Sequence, residues 1–97
     1  MPTYIQLLRF THQGIQKIKK SPTRLDAAKK AFRAMGGEFK GFYLVMGQYD
    51  AVAIMEAPDD ETASRFALAI GAKGNVRTET LRAYTEDEYR KLIASLR

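Results

Sequence analysis

The stretch GEFKGFYLVMGQYDAVAIMEAPDD, residues 37–60, decides the fold. Apolar and aromatic residues dominate Phe39 to Met46 and again Ala51 to Ala57, with Gly47-Gln48-Tyr49-Asp50 between them. Two such runs around a glycine-containing connection read as an antiparallel hairpin. Gly47 can take a positive φ there, and the Asp50 carboxylate can accept a backbone N–H. Side chains alternate across a strand, so Phe42, Leu44 and Met46 point one way and Tyr43 and Val45 the other. In the second run Ala51, Ala53 and Met55 oppose Val52 and Ile54. Neither side of the hairpin is polar, so both faces require a cover.

Upstream, Thr3 to Phe10 (TYIQLLRF) places Tyr4, Leu8 and Phe10 on one face and Ile5 and Leu7 on the other, a central strand covered on two sides. Gln13 to Lys20 forms a short helical piece that meets Ser21-Pro22, read as an N-cap followed by proline at the first helical position. The next helix carries Leu25, Ala28, Phe32 and Met35 on one stripe, and Gly36-Gly37 ends it. Downstream, Pro58-Asp59-Asp60-Glu61 opens a helix with Ala63, Phe66, Ala67 and Ile70 inward, stopped at Gly71 or Gly74. Asn75 to Tyr84 alternates and is rich in threonine, a fourth strand. Thr85-Glu86-Asp87-Glu88 is a capping-box pattern for a last helix lined by Tyr89, Leu92, Ile93 and Leu96. The order β-α-β-β-α-β plus a C-terminal helix is the ferredoxin-like arrangement, an α+β fold whose antiparallel sheet has strand order 4-1-3-2. Two helices cover one face of such a sheet. Because the other face is also apolar, the expected cover is the same face of a second copy, giving a dimeric α+β barrel.

The 97 residues make one domain, residues 1–97, with 45% hydrophobic and 28% charged residues. No apolar run approaches the roughly 18 residues of a membrane span. Met1-Pro2-Thr3-Tyr4-Ile5 shows no basic-then-apolar leader pattern, so a cytoplasmic location is the expectation. With no cysteine, disulfides, thiolate nucleophiles and thiolate metal sites are excluded. The net charge of +5 is concentrated: Thr11 to Lys40 holds eight Lys or Arg and two acids. That segment reads as a solvated helix face, Asp26 pairing with Lys29 or Lys30 along it. Its alternative is an anion-attracting patch.

At the level of whole motifs, Gly47-Gln48-Tyr49-Asp50 resembles the Gly-x-Tyr-Asp stretch of the GYD-domain family. The likeness extends through Thr11-His12-Gln13-Gly14-Ile15, Ser21-Pro22-Thr23-Arg24-Leu25, Gly36-Gly37, Glu56-Ala57-Pro58-Asp59-Asp60 and Gly74 to Ala83. The resemblance implies a dimeric α+β barrel and carries no established reaction. Relatives by fold include cofactor-free monooxygenases, isomerases and small-molecule sensors, so fold alone does not fix activity.

Several residues are candidates for chemistry. His12, the only histidine, and Asp50 are the catalytic candidates, His12 as a proton carrier and Asp50 as a carboxylate at a strand end. Each also has a structural reading, His12 as a surface or capping residue and Asp50 as a turn cap. Arg9, Tyr43, Tyr49, Asp50, Arg77 and Glu79 are the candidate ligand-binding set, hydroxyls and charges on an otherwise apolar interior. They equally suit an interface ion network. No metal site and no cofactor are implied. Lys40, Gly41, Phe42 and Val45 fit half of an RNA-recognition strand pattern, but they sit on the second strand, whereas that motif stacks bases on aromatics of the first and third strands, and the third strand here, Ala51 to Met55, has none. The functional expectation is a homodimeric small-molecule-binding or regulatory module with a ligand cavity in the barrel. The alternatives are a cofactor-independent enzyme and, behind it, a nucleic-acid binder through Thr11–Lys40.

Overall fold

A computed structural model describes residues 1–97. Strands β1 (Thr3–Phe10), β2 (Glu38–Leu44), β3 (Ala51–Glu56) and β4 (Val76–Ala83) form one antiparallel sheet in the order β2-β3-β1-β4. This is the expected 4-1-3-2 order counted from the other edge. The helices are α1 (His12–Gln16), α2 (Ser21–Ala34), α3 (Asp60–Ala72) and α4 (Glu86–Ala94), with a 3-10 turn at Ile18–Lys20.

Register sorts the side chains into two faces. On β1, Tyr4, Gln6 and Leu8 are buried, lying opposite Met55, Ala53 and Ala51 of β3. With Phe32 of α2 and Ala63 and Phe66 of α3 they form the core. The Phe32 ring lies 4.3 Å from Phe66 and 5.8 Å from Phe39, so three aromatic rings seal one end of the helix–sheet layer. Phe42 packs against this core from β2.

The other face has no helix over it. Its rows follow from the pairing: Tyr43, Val52, Leu7 and Glu79 in one, and Gly41, Ile54, Ile5 and Leu81 in the next. Arg9 and Arg77 stand opposite each other at one end, while Glu38 and Glu56 stand opposite each other at the far end. Tyr43 is 60% exposed and Leu81 43%. Helix α4 forms with its capping box, Thr85 and Glu88 each bonding the other's backbone N–H. Yet Tyr89, Leu92 and Ile93 on it, and Leu96 just beyond its end, are all exposed. The chain's radius of gyration is 14.6 Å, against about 12.5 Å for a compact domain of this length.

Three local expectations change. Ser21 is not an N-cap: its backbone is already helical (φ −57°, ψ −43°), as is that of Lys20, because the 3-10 turn runs directly into α2. Leu44 and Met46 do not join the core. The strand ends at Leu44 on the sheet edge, and both side chains overhang it, 77% and 98% exposed. Asp26 forms no ion pair with Lys29 or Lys30, as expected where water screens mobile side chains. Gly47 does take the left-handed backbone, at φ 117°.

Candidate functional site

Two of the sequence motifs converge on the C-terminal end of β1. From the hairpin side, Asp50 N–H donates to the Leu8 carbonyl at 2.8 Å, and the Asp50 carboxylate accepts from Phe10 N–H at 2.9 Å. Asp50 therefore holds the β2–β3 turn against β1. From the other side, Thr11 N–H donates to the Asn75 carbonyl, and its hydroxyl to that of Gly74 at 2.5 Å. The Thr11 hydroxyl in turn accepts from Gly14 N–H and so caps α1. Gln13 Nε2 reaches Lys73 O and Asn75 Oδ1. Gly14 is required here by close approach, since a Cβ would strike the Asn75 carbonyl oxygen. The Thr11–Ile15 motif is thus a clasp on the α3–β4 turn.

On the open face the same end of the sheet carries a linked set. The Arg9 guanidinium lies 4.6 Å over the Tyr49 ring, and its Nε donates to Gln48 O at 2.7 Å. The Tyr49 hydroxyl donates to Glu79 Oε2 at 2.5 Å. That bond to a carboxylate raises the Tyr49 pKa, because ionising the phenol would set two anions together. Arg77 stands beside this set, opposite Arg9 across β1 and β4, and makes no ion pair with Glu79. Tyr43 lies two strands away, opposite Val52. Of the six candidate ligand-binding residues, Arg9, Tyr49 and Glu79 are in direct contact, with Arg77 adjacent. Asp50 is turned to the backbone, and Tyr43 is apart.

The catalytic candidates are not assembled into a working pair. His12 is exposed at the first turn of α1. The Asp50 carboxylate is committed to a backbone N–H. A second tyrosine–carboxylate pair sits at the opposite end of β1, where Tyr4 donates to Asp60 Oδ1 at 2.5 Å. Burial, reinforced by Asp60, pushes the Tyr4 pKa up to about 12. No group of three or more His, Asp or Glu side chains is placed to hold a metal ion. The RNA-recognition fit fails in space: Phe42 faces the helices, and the open faces of β1 and β3 present Ile5, Leu7, Val52 and Ile54.

A partly open cavity lies elsewhere, between the helices and the sheet. Its volume is about 180 Å³, and it runs under α2 and α3. Its floor is Gln6, Leu8, Ala51 and Ala53, and Leu25, Ala28 and Ile70 roof it. None of the six candidate ligand-binding residues lines it. The sequence does carry a signal for it, namely small alanine side chains on both α2 and β3.

The sequence model of the GYD domain matches residues 4–93. The chain belongs to the GYD-domain family. It is similar, at 36% identity over 84 residues, to a Thermus thermophilus protein named "Glutamine synthetase and cystathionine beta-lyase binding protein", covering 86% of this chain and 88% of that one. Among solved structures it resembles TTHA0845 from Thermus thermophilus, at 28% identity and TM-score 0.56 over 88% of this chain and 95% of that one. The hypothetical protein PHS023 from Pyrococcus horikoshii shares the fold, at 22% identity and TM-score 0.56 over 89% and 93% of the two chains. No helix of this GYD-domain protein is long and apolar enough to cross a membrane.

Proposed function

We propose that this GYD-domain protein is a homodimeric binding module in which two copies pack open sheet face to open sheet face, closing an α+β barrel. The observation that carries this is surface area. The single chain exposes 6933 Å², whereas a compact monomer of 10.9 kDa exposes roughly 5,600 Å². The excess of about 1,300 Å² exceeds the roughly 800 Å² that each partner of a standard interface buries. It is also apolar in the right places: the rows around Leu7, Ile5, Val52 and Ile54, and the uncovered stripe of α4. The Arg9–Tyr49–Glu79 set then becomes the polar end of the interface. The arginine end and the Glu38–Glu56 end differ in charge, which suits a two-fold that lays one over the other.

The test is mass in solution. Light scattering at micromolar concentration should return about twice the 10.9 kDa chain mass. Ile54→Lys, in the middle of the open face, should run as a folded monomer. A monomeric wild type, or a dimer unaffected by Ile54→Lys, would overturn the proposal.

The relative's name supplies a partner class for the module, and we extend the proposal to it: the dimer binds metabolic enzymes such as glutamine synthetase and cystathionine beta-lyase. The support is the similarity over most of both chains. Surface plasmon resonance against the two purified enzymes tests this. Absence of binding to both, with the dimer intact, would remove the extension and leave the assembly standing.

A further inference from the structure

We infer that each protomer also carries a ligand site between its helices and its sheet, built for a compact, largely apolar molecule with one neutral end that both donates and accepts a hydrogen bond, a carboxamide by chemical class. The inference does not rest on the dimer, because the site lies on the other face of the sheet.

The cavity of about 180 Å³ is too large to be ordinary packing looseness. Voids in protein interiors seldom exceed the size of a water molecule, and an engineered cavity of about 150 Å³ holds benzene. Here the space arises from sequence: the half-buried Ala28 on α2 and the buried Ala51 and Ala53 on β3 line it, and Ala31 on α2 and Ala69 on α3 stand exposed at its rim. Leucines at such positions would fill it. The Phe32–Phe66 contact closes the layer toward one end. At the other end, by the start of α2 and the end of α3, Ser21, Arg24 and Lys73 border the opening.

Gln6 says what the occupant is. Gln6 is among the residues lining the cavity, it is 1% exposed, and its buried Oε1 and Nε2 have no hydrogen-bond partner. A buried amide left this way costs roughly 1–3 kcal/mol for each unsatisfied group. A chain in which this position were merely structural would be more stable with leucine there. Solvent is a poor general occupant, since 15 of the 20 lining residues are hydrophobic and a buried water requires two to four polar partners. A carboxylate is also a poor fit. It could take the Nε2 protons but would offer nothing to Oε1. The nearest guanidinium, Arg24, is already donating to the carbonyls of Lys17 and Gly14. A primary or cis-secondary amide answers both Gln6 atoms at once, in the paired N–H···O=C geometry two amides adopt with each other.

Benzamide, with toluene as its counterpart lacking the polar end, is the probe. Titrated into the full chain and followed by amide NMR, benzamide should produce saturable shifts in the Gln6 side-chain NH₂ and in cavity residues such as Ala28 and Ile70. Gln6→Leu is close to isosteric. It should weaken benzamide by about tenfold or more, leave toluene binding intact or stronger, and raise the melting temperature of the unliganded protein. Ala28→Leu fills the space and should abolish both ligands while the protein stays folded. The dimer-breaking Ile54→Lys should bind benzamide as wild type does, so the two proposals can fail separately. No saturable shift up to the solubility of benzamide would overturn the inference. So would equal benzamide affinity in Gln6→Leu, or a melting temperature lowered by it.

Discussion

The two faces of the sheet are made from the same four strands and differ in what covers them. On the helix face Ala51, Ala53, Met55, Tyr4, Phe32 and Phe66 are almost fully buried by residues of the same chain. On the open face Ile5, Leu7, Val52 and Ile54 are only half-buried, and only by their neighbours within the sheet. Hydrophobic alternation says which residues share a face. It does not say whether the cover is intramolecular. What separates the faces is the presence of helices at the correct distance in the chain, and α4, the one helix left over, extends away from the body with its apolar stripe bare.

The largest effect should come from the helix face. Phe66→Ala removes a ring that contacts both Phe32 and Phe39, a loss of roughly 3–5 kcal/mol from a total near 5–15 kcal/mol. Its urea midpoint should fall at every protein concentration. Ile54→Ala on the open face should cost less, and if that face packs on a second copy as proposed, the cost should change with concentration. Equal, concentration-independent losses for both would break the distinction between the faces.

The next effect sharpens the comparison at the point where both faces are anchored. Asp50→Ala removes a charged acceptor from Phe10 N–H and should cost roughly 1.5–3 kcal/mol, whereas His12→Ala, exposed and outside the clasp bonds, should leave the urea midpoint near wild type. A harmless Asp50→Ala would show that the Gly-x-Tyr-Asp turn is not a structural anchor and would return its carboxylate to the catalytic candidates.

Much of this organisation is legible in the sequence. The hairpin, the capping box at Thr85 and the turn glycine at Gly47 follow from local rules that act over a few residues, the strand order follows from the order of elements along the whole chain, and the structure has each of them. The candidate site is legible only in part. Arg9, Tyr49 and Glu79 come together because β1, β4 and the turn meet at one sheet end, which topology alone predicts. Asp50's partner is not predictable, since an aspartate in a turn ordinarily bonds backbone nearby and this one bonds Phe10, 40 positions away. Gln6 escapes sequence reading for a different reason. One polar residue in an apolar strand is invisible to a periodicity count, and its significance emerges only once both amide atoms are seen to lack partners.

Tyr4 provides a pH test of the buried face. Its pKa rises from 10.0 to about 12 through burial and its bond to Asp60. The folded state therefore keeps a proton that the unfolded chain has released in that interval. The contribution to stability is complete below pH 10 and is lost as pH climbs toward 12. The difference in melting temperature between wild type and Tyr4→Phe should be flat up to pH 10 and shrink above it. A flat difference throughout would mean Tyr4 is not held protonated by the fold. At the acid end the signs reverse. Asp59 and Glu88 have lowered pKa values, each held chiefly by backbone N–H bonds, from Thr62 and Thr85. Their contributions are present above the ordinary carboxylate range and are lost as pH falls through it.

The smallest effect addresses the open face directly. Tyr49→Phe deletes one hydroxyl, and with it the bond to Glu79, while keeping the ring on which Arg9 rests. In an isolated chain this bond is exposed to water, which would solvate both groups equally well, so the loss should be near the low end of the roughly 0.5–1.5 kcal/mol typical of a hydrogen bond. In a face-to-face dimer the same bond is buried. Removing the hydroxyl then leaves the Glu79 carboxylate without its donor in a drier place, and the penalty rises. The prediction is therefore a split. In the Ile54→Lys monomer, Tyr49→Phe should leave the urea midpoint nearly unchanged. In the otherwise wild-type chain it should weaken dimerisation, measured as the dissociation constant by dilution. If the substitution is equally silent in both backgrounds, Tyr49 and Glu79 lie outside any interface, and the polar end of the open face is free for another partner.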